Sequence, residues 1–215
     1  PHTMAIQPGG VTRAPTARDK VRITAQLGAF RRYLETVLFA APVEEFAALG
    51  GIAELDAWDG GDVALFNRIS QSLDLSGSGK GPGRYLSFGA YPTADGMGFA
   101  RGIRTEDGAA TLDPSAIMED HSHSWMLGEG AHPLQGKTLA DTAMSDPAYS
   151  WCKAPRLDGQ SFETGALARQ IIDGHPLACA LAQEGGVRAR IVGRLLEIAR
   201  TQLLLEQMVA GIDPD

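Results

Sequence analysis

Apolar positions recur along this chain at spacings that predict helices towards both ends and strands only in the middle. After Thr16, the residues Val21, Leu27, Phe30, Leu34, Val37 and Leu38 return at helical intervals until Pro42 stops the run. Thr16 followed by Asp19 has the form of a capped helix start with an acidic first turn. Short helices are predicted at 43–49 and 52–58. Asp62 is expected to cap a helix through Leu73, with Val63, Phe66, Ile69 and Leu73 on one face. The period then shortens. Residues 84–91 alternate as a strand, and 99–104 and 109–112 flank Glu106-Asp107-Gly108, the composition of a hairpin turn. Helical spacing returns at 163–173, 176–183 and 187–209. The last of these would run roughly 35 Å at about 1.5 Å per residue, with Val187, Ile191, Leu195, Ile198 and Gln202 on one stripe and Gly211 at its end. The pattern predicts a mostly α chain with a small β-sheet, of α+β class. It divides into a helical part (1–75), a sheet and hairpin region (84–126), and a loop with C-terminal helices (127–215), with no internal repeat.

Two stretches interrupt the pattern. Residues 1–15, with Pro1, Pro8, Pro15 and Gly9-Gly10, read as an irregular lead-in. Ser76-Gly77-Ser78-Gly79-Lys80-Gly81-Pro82-Gly83 superficially suggests a phosphate loop, since glycine-rich turns present N–H groups to anions. The phosphate-loop motif needs Ser or Thr after the lysine, with a strand before and a helix after. Here Gly81 follows Lys80 and the strand comes afterwards, so a mobile linker is expected instead.

Composition narrows the classes. With 44% hydrophobic residues in 215, the chain can bury one sizeable core, or two lobes, rather than remain disordered. A net charge of -7 and a pI near 5.2 argue against nucleic-acid binding, which needs clustered Lys and Arg. Two cysteines make no disulfide framework, so a reducing cytoplasm and buried structural thiols are expected. No apolar stretch approaches the roughly 20 residues of a membrane span, and no signal-peptide pattern is seen.

Three collinear blocks carry a family resemblance. Tyr149-Ser150-Trp151-Cys152-Lys153-Ala154-Pro155-Arg156, leading into Glu163-Thr164-Gly165-Ala166-Leu167-Ala168, resembles the signature of the nickel-iron hydrogenase large subunit. The opening PHTMAIQPGGVTRAP is similar to that family's Asn-Pro-His-Thr…Gly-Gly-Val-Thr segment. Glu119 with His123-Ser124-Trp125 resembles its Glu-x-Val-x-His-Ser-Trp block, and His132, Pro133, Gly136 and Thr138 follow in register. The resemblance implies a mostly helical large-subunit bundle. It also implies a parent enzyme that splits H2 heterolytically, passing electrons to an iron–sulfur small subunit. The wording of 149–169 and 171–177 is closer to the uptake and hydrogen-sensing branches.

The family binds nickel and iron through two Cys-x-x-Cys pairs, and neither is present. Cys152 sits at a variable position of the signature, and Cys179 follows His175-Pro176. Thiolates are the soft ligands such a centre needs, so no cofactor is expected on this chain alone. The nickel-iron centre and a magnesium ion belong to the full-length parent. The chain does not begin with Met and is expected to be the central part of such a subunit, partnered by its missing parts and the small subunit. Exported family members travel on the small subunit's signal, so the resemblance allows the periplasmic face as well as the cytoplasm. The rival expectation is a cysteine-free relative with a structural or assembly role and no redox activity.

Glu119 and Lys153 are the site candidates: the resemblance implies that they hydrogen-bond waters of the buried magnesium, while the residues themselves are also consistent with a plain ion pair. His123, Trp125, Trp151, Pro155 and Arg156 are read as structural members of the signature. The two tryptophans are expected to fill the core around the loop, and Arg156 to pair with Asp158, Glu163 or a partner chain. His121, His123 and His132 lie within twelve positions. On a strand the first two would share a face, as a two-histidine metal clip requires, although a third ligand is not evident. His2 is placed near the small-subunit interface. No Ser-His-Asp, Cys-His or paired-carboxylate set stands out for hydrolysis.

Overall fold

The computed structural model describes residues 6–7, 10–93, 96–136, 138–145 and 147–213; His2 and the rest of 1–5, with 8 and 9, lie outside them. A two-residue strand pair, β1 (Ile6–Gln7) and β2 (Gly10–Val11), precedes α1 (Ala17–Tyr33), which continues as a π-helical turn, Leu34–Leu38. Then come α2 (Val43–Ala47), α3 (Ile52–Asp56) and α4 (Gly61–Ser72). Strands β3 (Tyr85–Thr93), β4 (Gly96–Thr105) and β5 (Gly108–Ala110) form one antiparallel sheet in that order. Strand β6 (Ile117–Asp120) pairs with β9 (Ala154–Leu157), and the short β7 (Met126–Leu127) with β8 (Leu139–Ala140). Helices α5 (Ala166–Ile172), α6 (Pro176–Leu181) and α7 (Val187–Ala210) complete the chain.

Helix α7 is the central post of the main core, flanked by α1, α2, α5 and α6. Its buried face is Ala189, Val192, Gly193, Leu196, Ala199 and Gln202, so of the expected stripe only Gln202 lies on it. The small residues let neighbouring helices approach: a Cβ on Gly193 would lie 2.8 Å from the Leu167 Cα of α5. Val187, Ile191 and Leu195 are therefore only half-buried, and Ile198 is exposed. Leu34, Phe39, Phe46, Leu55, Ile171 and Leu177 fill the space around the post, with Phe39 stacked on Phe46 at 4.4 Å.

Thr16 and Asp19 form the expected capping box of α1, but that helix buries none of its residues. Val21 is 71% and Phe30 47% exposed, so the helical spacing read at this end marks an apolar surface. Only Leu34, in the following π turn, enters the core. Polar contacts fasten α1: Lys20 Nζ donates to the carbonyls of Ala210 and Ile212 at 2.9 and 2.8 Å, at the negative end of the α7 dipole. Arg31 pairs with Glu35, Glu44 and Glu206. In α4 the cap is Gly60, not Asp62, which lies in the first turn. Gly61 has φ +63°, and a Cβ there would press on the Leu38 carbonyl carbon at 2.7 Å. The buried face of α4 is Val63, Ala64, Asn67 and Ser70, leaving Ile69 and Leu73 exposed.

The glycine-rich segment is neither a phosphate loop nor a free linker. Gly186 caps α7 with no side chain, and the segment supplies the missing acceptors. Val187 N–H donates to Ser78 O at 3.0 Å and Arg188 N–H to Leu75 O at 3.1 Å, while Gly81 N–H reaches Gly185 O at 3.1 Å. Of the segment's own amides, Gly77 donates to Asp74 and Gly81 to Gly185, and no helix follows it directly to complete a phosphate loop.

The predicted hairpin is present, with Thr105 opposite Gly108. Its sheet leans on α5 and α7 through Asp173, which accepts from the Ala100 amide (2.9 Å) and from Arg200 (2.5 Å), and Arg200 lies 5.1 Å from the centre of the Phe99 ring. A second, smaller core of Leu86, Leu112 and Leu157 joins this sheet to the β6–β9 pair. No helix among the described residues is long and apolar enough to cross a membrane.

Candidate functional site at the β6–β9 strand pair

The signature expected as loop contains a strand. Residues 154–157 pair antiparallel with 117–120, placing Glu119 opposite Pro155 and Asp120 opposite Ala154. Proline lacks the N–H that a ladder uses. The cost is avoided here because the Glu119 amide turns away from β9 and donates to Ala131 O at 3.0 Å. The His132-Pro133 turn, in which Gln135 and Gly136 both donate to His132 O (2.8 and 2.9 Å), then sets Gly136 beside Glu119: a Cβ there would lie 3.8 Å from Glu119 Oε2.

Lys153, the residue before β9, donates from Nζ to Glu119 Oε2. Their side chains are 25% and 16% exposed, so this is a half-buried pair at one end of the strand pair. The sequence candidates Glu119 and Lys153 are thus brought together. Alongside them, 123–125 and 149–152 run parallel: Trp125 N–H donates to Ser150 O at 2.9 Å, Tyr149 N–H to His123 O at 3.2 Å, and Ser124 Oγ to Cys152 O.

Several expectations are corrected here. Trp125 and Trp151 pack on each other with ring centres 5.3 Å apart, yet Trp151 is 46% exposed. They form a surface pair because the parallel segments that carry them lie outside both cores. Cys152 is exposed and Cys179 half-buried, so neither is a buried thiol. Arg156 pairs with neither Asp158 nor Glu163: Glu163 is held bidentately by Arg190 at 2.7 and 3.0 Å, and Arg156 donates to its neighbour's carbonyl, Pro155 O, at 2.9 Å. His121 and His123 follow the end of β6 in a turn, so strand alternation does not align them. His123 Nδ1 lies 2.9 Å from Ser122 Oγ and its ring 6.2 Å from that of Tyr149, while His132 Nδ1 accepts from the Leu134 amide at 3.1 Å.

Two aspartates that shape this site carried only a turn signal in the sequence, a serine two positions after Asp120 and four after Asp141. Asp120 accepts from Ser122 N (3.0 Å) and Oγ (2.8 Å), which hold its carboxyl below the usual range, with smaller help from the charges of Arg156 and His123. Asp141 is likewise lowered by the Ser145 amide and hydroxyl, and it ties the 141–145 turn.

No group of three His, Cys, Asp or Glu side chains suited to a metal occurs among the described residues. The two thiols sit in different settings: Cys152 on the surface beside β9, and Cys179 in α6 with its sulfur 3.8 Å from Ile171 O. A thiolate-held nickel centre does not fit this donor set. Outer hydrogen bonds to a hydrated hard cation do fit Glu119, whose second oxygen takes no hydrogen bond among the described residues.

The comparisons agree with the three sequence blocks. An uptake hydrogenase large subunit of Rhizobium leguminosarum bv. viciae is 34% identical over 28% of this chain and 13% of its own length. The Hydrogenase-1 large chain of Escherichia coli K12 is 26% identical over 53% of this chain and 24% of its own. The chain thus spans about a quarter or less of the curated relatives it matches. In fold, it superposes on the Ni-Fe-Se hydrogenase of Desulfovibrio vulgaris Hildenborough with a TM-score of 0.75 at 23% identity, covering 99% of this chain and 44% of that one. The reduced, active Ni-Fe-Se hydrogenase of Desulfomicrobium baculatum gives 0.75 at 22%, covering 100% and 44%. The nickel-dependent hydrogenase family matches residues 1–180, and the chain belongs to that family.

Proposed function

We propose that this chain serves as the framework portion of a nickel-iron hydrogenase large subunit, in an assembly that cleaves H2 and passes electrons to an iron–sulfur small subunit. The observation that carries this reading is the Glu119–Lys153 pair, formed between two signature blocks that lie 34 positions apart in sequence. Lys153 fixes the Glu119 carboxylate and neutralises it, and Ala131 and Gly136 close over it. With magnesium nearby, the cation would supply bound waters for the free Glu119 oxygen to accept from, and Lys153 would hold that carboxylate's orientation. The nickel-iron chemistry itself would rest on thiolates from outside these residues. The stretches 1–75, 84–126 and 127–215 are read as parts of one unit, a reading supported by a main core that draws on Leu34, Tyr85 and Leu196 alike.

Deleting the gene in its native host tests this reading. Loss of H2-dependent viologen reduction supports it, provided the uncut gene restores the activity. Hydrogen uptake unchanged by the deletion overturns it and favours the cysteine-free structural relative.

A further inference from the structure

Helix α1 buries none of its residues, and its charge is one-sided. A turn of about 100° per residue puts Arg18, Arg22, Ala25, Ala29 and Tyr33 on one face, and all five are exposed. The one acid of this helix, Asp19, is held by Arg13 and the Thr16 cap, and it reaches Arg22 only at 3.7 Å. Arg18 has no ion pair among the described residues. The face is therefore basic at its start, small at its centre and aromatic towards its end.

Beyond the helix the sign reverses. No Lys or Arg occurs between Arg32 and Arg68, a stretch that carries seven acids. Glu35, Glu44 and Asp56 pair with arginines of this chain, and Glu54 accepts from the Gly50 amide. Asp59 and Asp62 are exposed, with no ion pair among the described residues. They flank Gly60 and Gly61, which pack against the chain leaving α1: a Cβ on Gly60 would lie 2.9 Å from that of Ala40, and Gly61 presses on the Leu38 carbonyl. An acidic spot thus stands at the far end of the helix that Arg18 and Arg22 begin, roughly 30 Å away at about 1.5 Å per residue. A rod basic at one end and acidic at the other is complementary to its own antiparallel copy. Ala25 and Ala29 fall near mid-length, where their methyls let a second helix approach to about 8 Å. An unrelated acidic partner would meet the arginines and leave the two aspartates unmatched; a second copy matches both.

We propose that two copies of this chain pair antiparallel along α1, with Arg18 and Arg22 of each copy meeting Asp59 and Asp62 of the other. Ala25 and Ala29 lie at the crossing and Tyr33 packs beside them. The two charge contacts are equivalent, so the assembly closes as a dimer.

Sedimentation equilibrium on the whole chain tests this. The wild type should fit a monomer–dimer equilibrium in the micromolar range, as a small polar interface gives. Raising NaCl from about 50 to about 500 mM should weaken it about tenfold, since exposed charges are screened. Arg18→Glu with Arg22→Glu should leave a monomer, as should Asp59→Lys with Asp62→Lys, each variant being checked for an intact melting transition. An equimolar mixture of the two variants should dimerise as the wild type does, because each then offers the charge that the other lacks. A wild type that stays monomeric, variants that dimerise alone, or a mixture of folded variants that stays monomeric overturns the proposal. Association that strengthens with salt assigns it to apolar surface instead, and growth beyond the dimer rules out the twofold pairing.

Discussion

At the scale of single residues, the pairing of Lys153 with Glu119 makes each side chain's stability dependent on the other. Both are less than a third exposed, so Lys153→Met strands a carboxylate in a poorly hydrated setting and should cost about 1–2 kcal/mol. Lys153→Met combined with Glu119→Leu should cost less than the single change. Denaturant titrations that give additive penalties would contradict the pairing. His175 offers a second residue-scale prediction. Its Nε2 lies 2.9 Å from Ala47 O, and its Nδ1 is buried with no partner among the described residues. Burial, aided by Arg200 and opposed by the Ala47 carbonyl and Asp173, lowers its pKa. A histidine lowered in the folded state favours folding fully above the unfolded value, near 6.5, and loses that contribution as pH falls through the folded value. The melting temperature should therefore fall between about pH 7 and 5. His175→Gln should flatten that slope; an equally steep slope in the variant would show that His175 is not its source.

At the scale of elements, the tight contact between α5 and α7 depends on Gly193. Alanine would normally stabilise a helix interior by about 1 kcal/mol over glycine. Here the added methyl meets the Leu167 backbone at 2.8 Å, and overpacking of this kind costs about 1–3 kcal/mol. Gly193→Ala should therefore lower the denaturation midpoint; a raised midpoint would mean that the helices can separate freely. This contact also shows what the sequence could reveal. Helix positions were legible because period and caps are local: Thr16 with Asp19, Pro42 ahead of α2, and Gly211 at the end of α7 all lie where the pattern put them. Facing was not legible, because the closest helix contacts use Ala and Gly, which a search for large apolar residues passes over. The same limit hid the role of the glycine-rich segment: the carbonyls of Leu75 and Ser78 cap α7 through contacts about a hundred residues distant in sequence. At the site, the motif residues Glu119 and Lys153 were legible and meet, whereas the exposed setting of Trp151 depends on which strands pair.

At the scale of the whole molecule, apolar surface remains on α1 and α4. Phe30, Tyr33 and Val37 at one end, and Leu65, Ile69 and Leu73 on α4, are between 42% and 62% exposed. Flanking helices, by contrast, cover most of α7. Patches beyond a few hundred Å² bind partners or aggregate, so the isolated chain should bind a hydrophobic dye and self-associate. Ile69→Gln with Leu73→Glu should reduce both; a dye-silent monomer in sedimentation would contradict the expectation. The central claim concerns the whole molecule as well: the chain carries the hydrogenase frame without the donors that hold its metal centre. Its most direct test is elemental analysis by mass spectrometry of the chain purified anaerobically and washed with chelator. The account predicts nickel far below one atom per chain, and nickel near one per chain would contradict it.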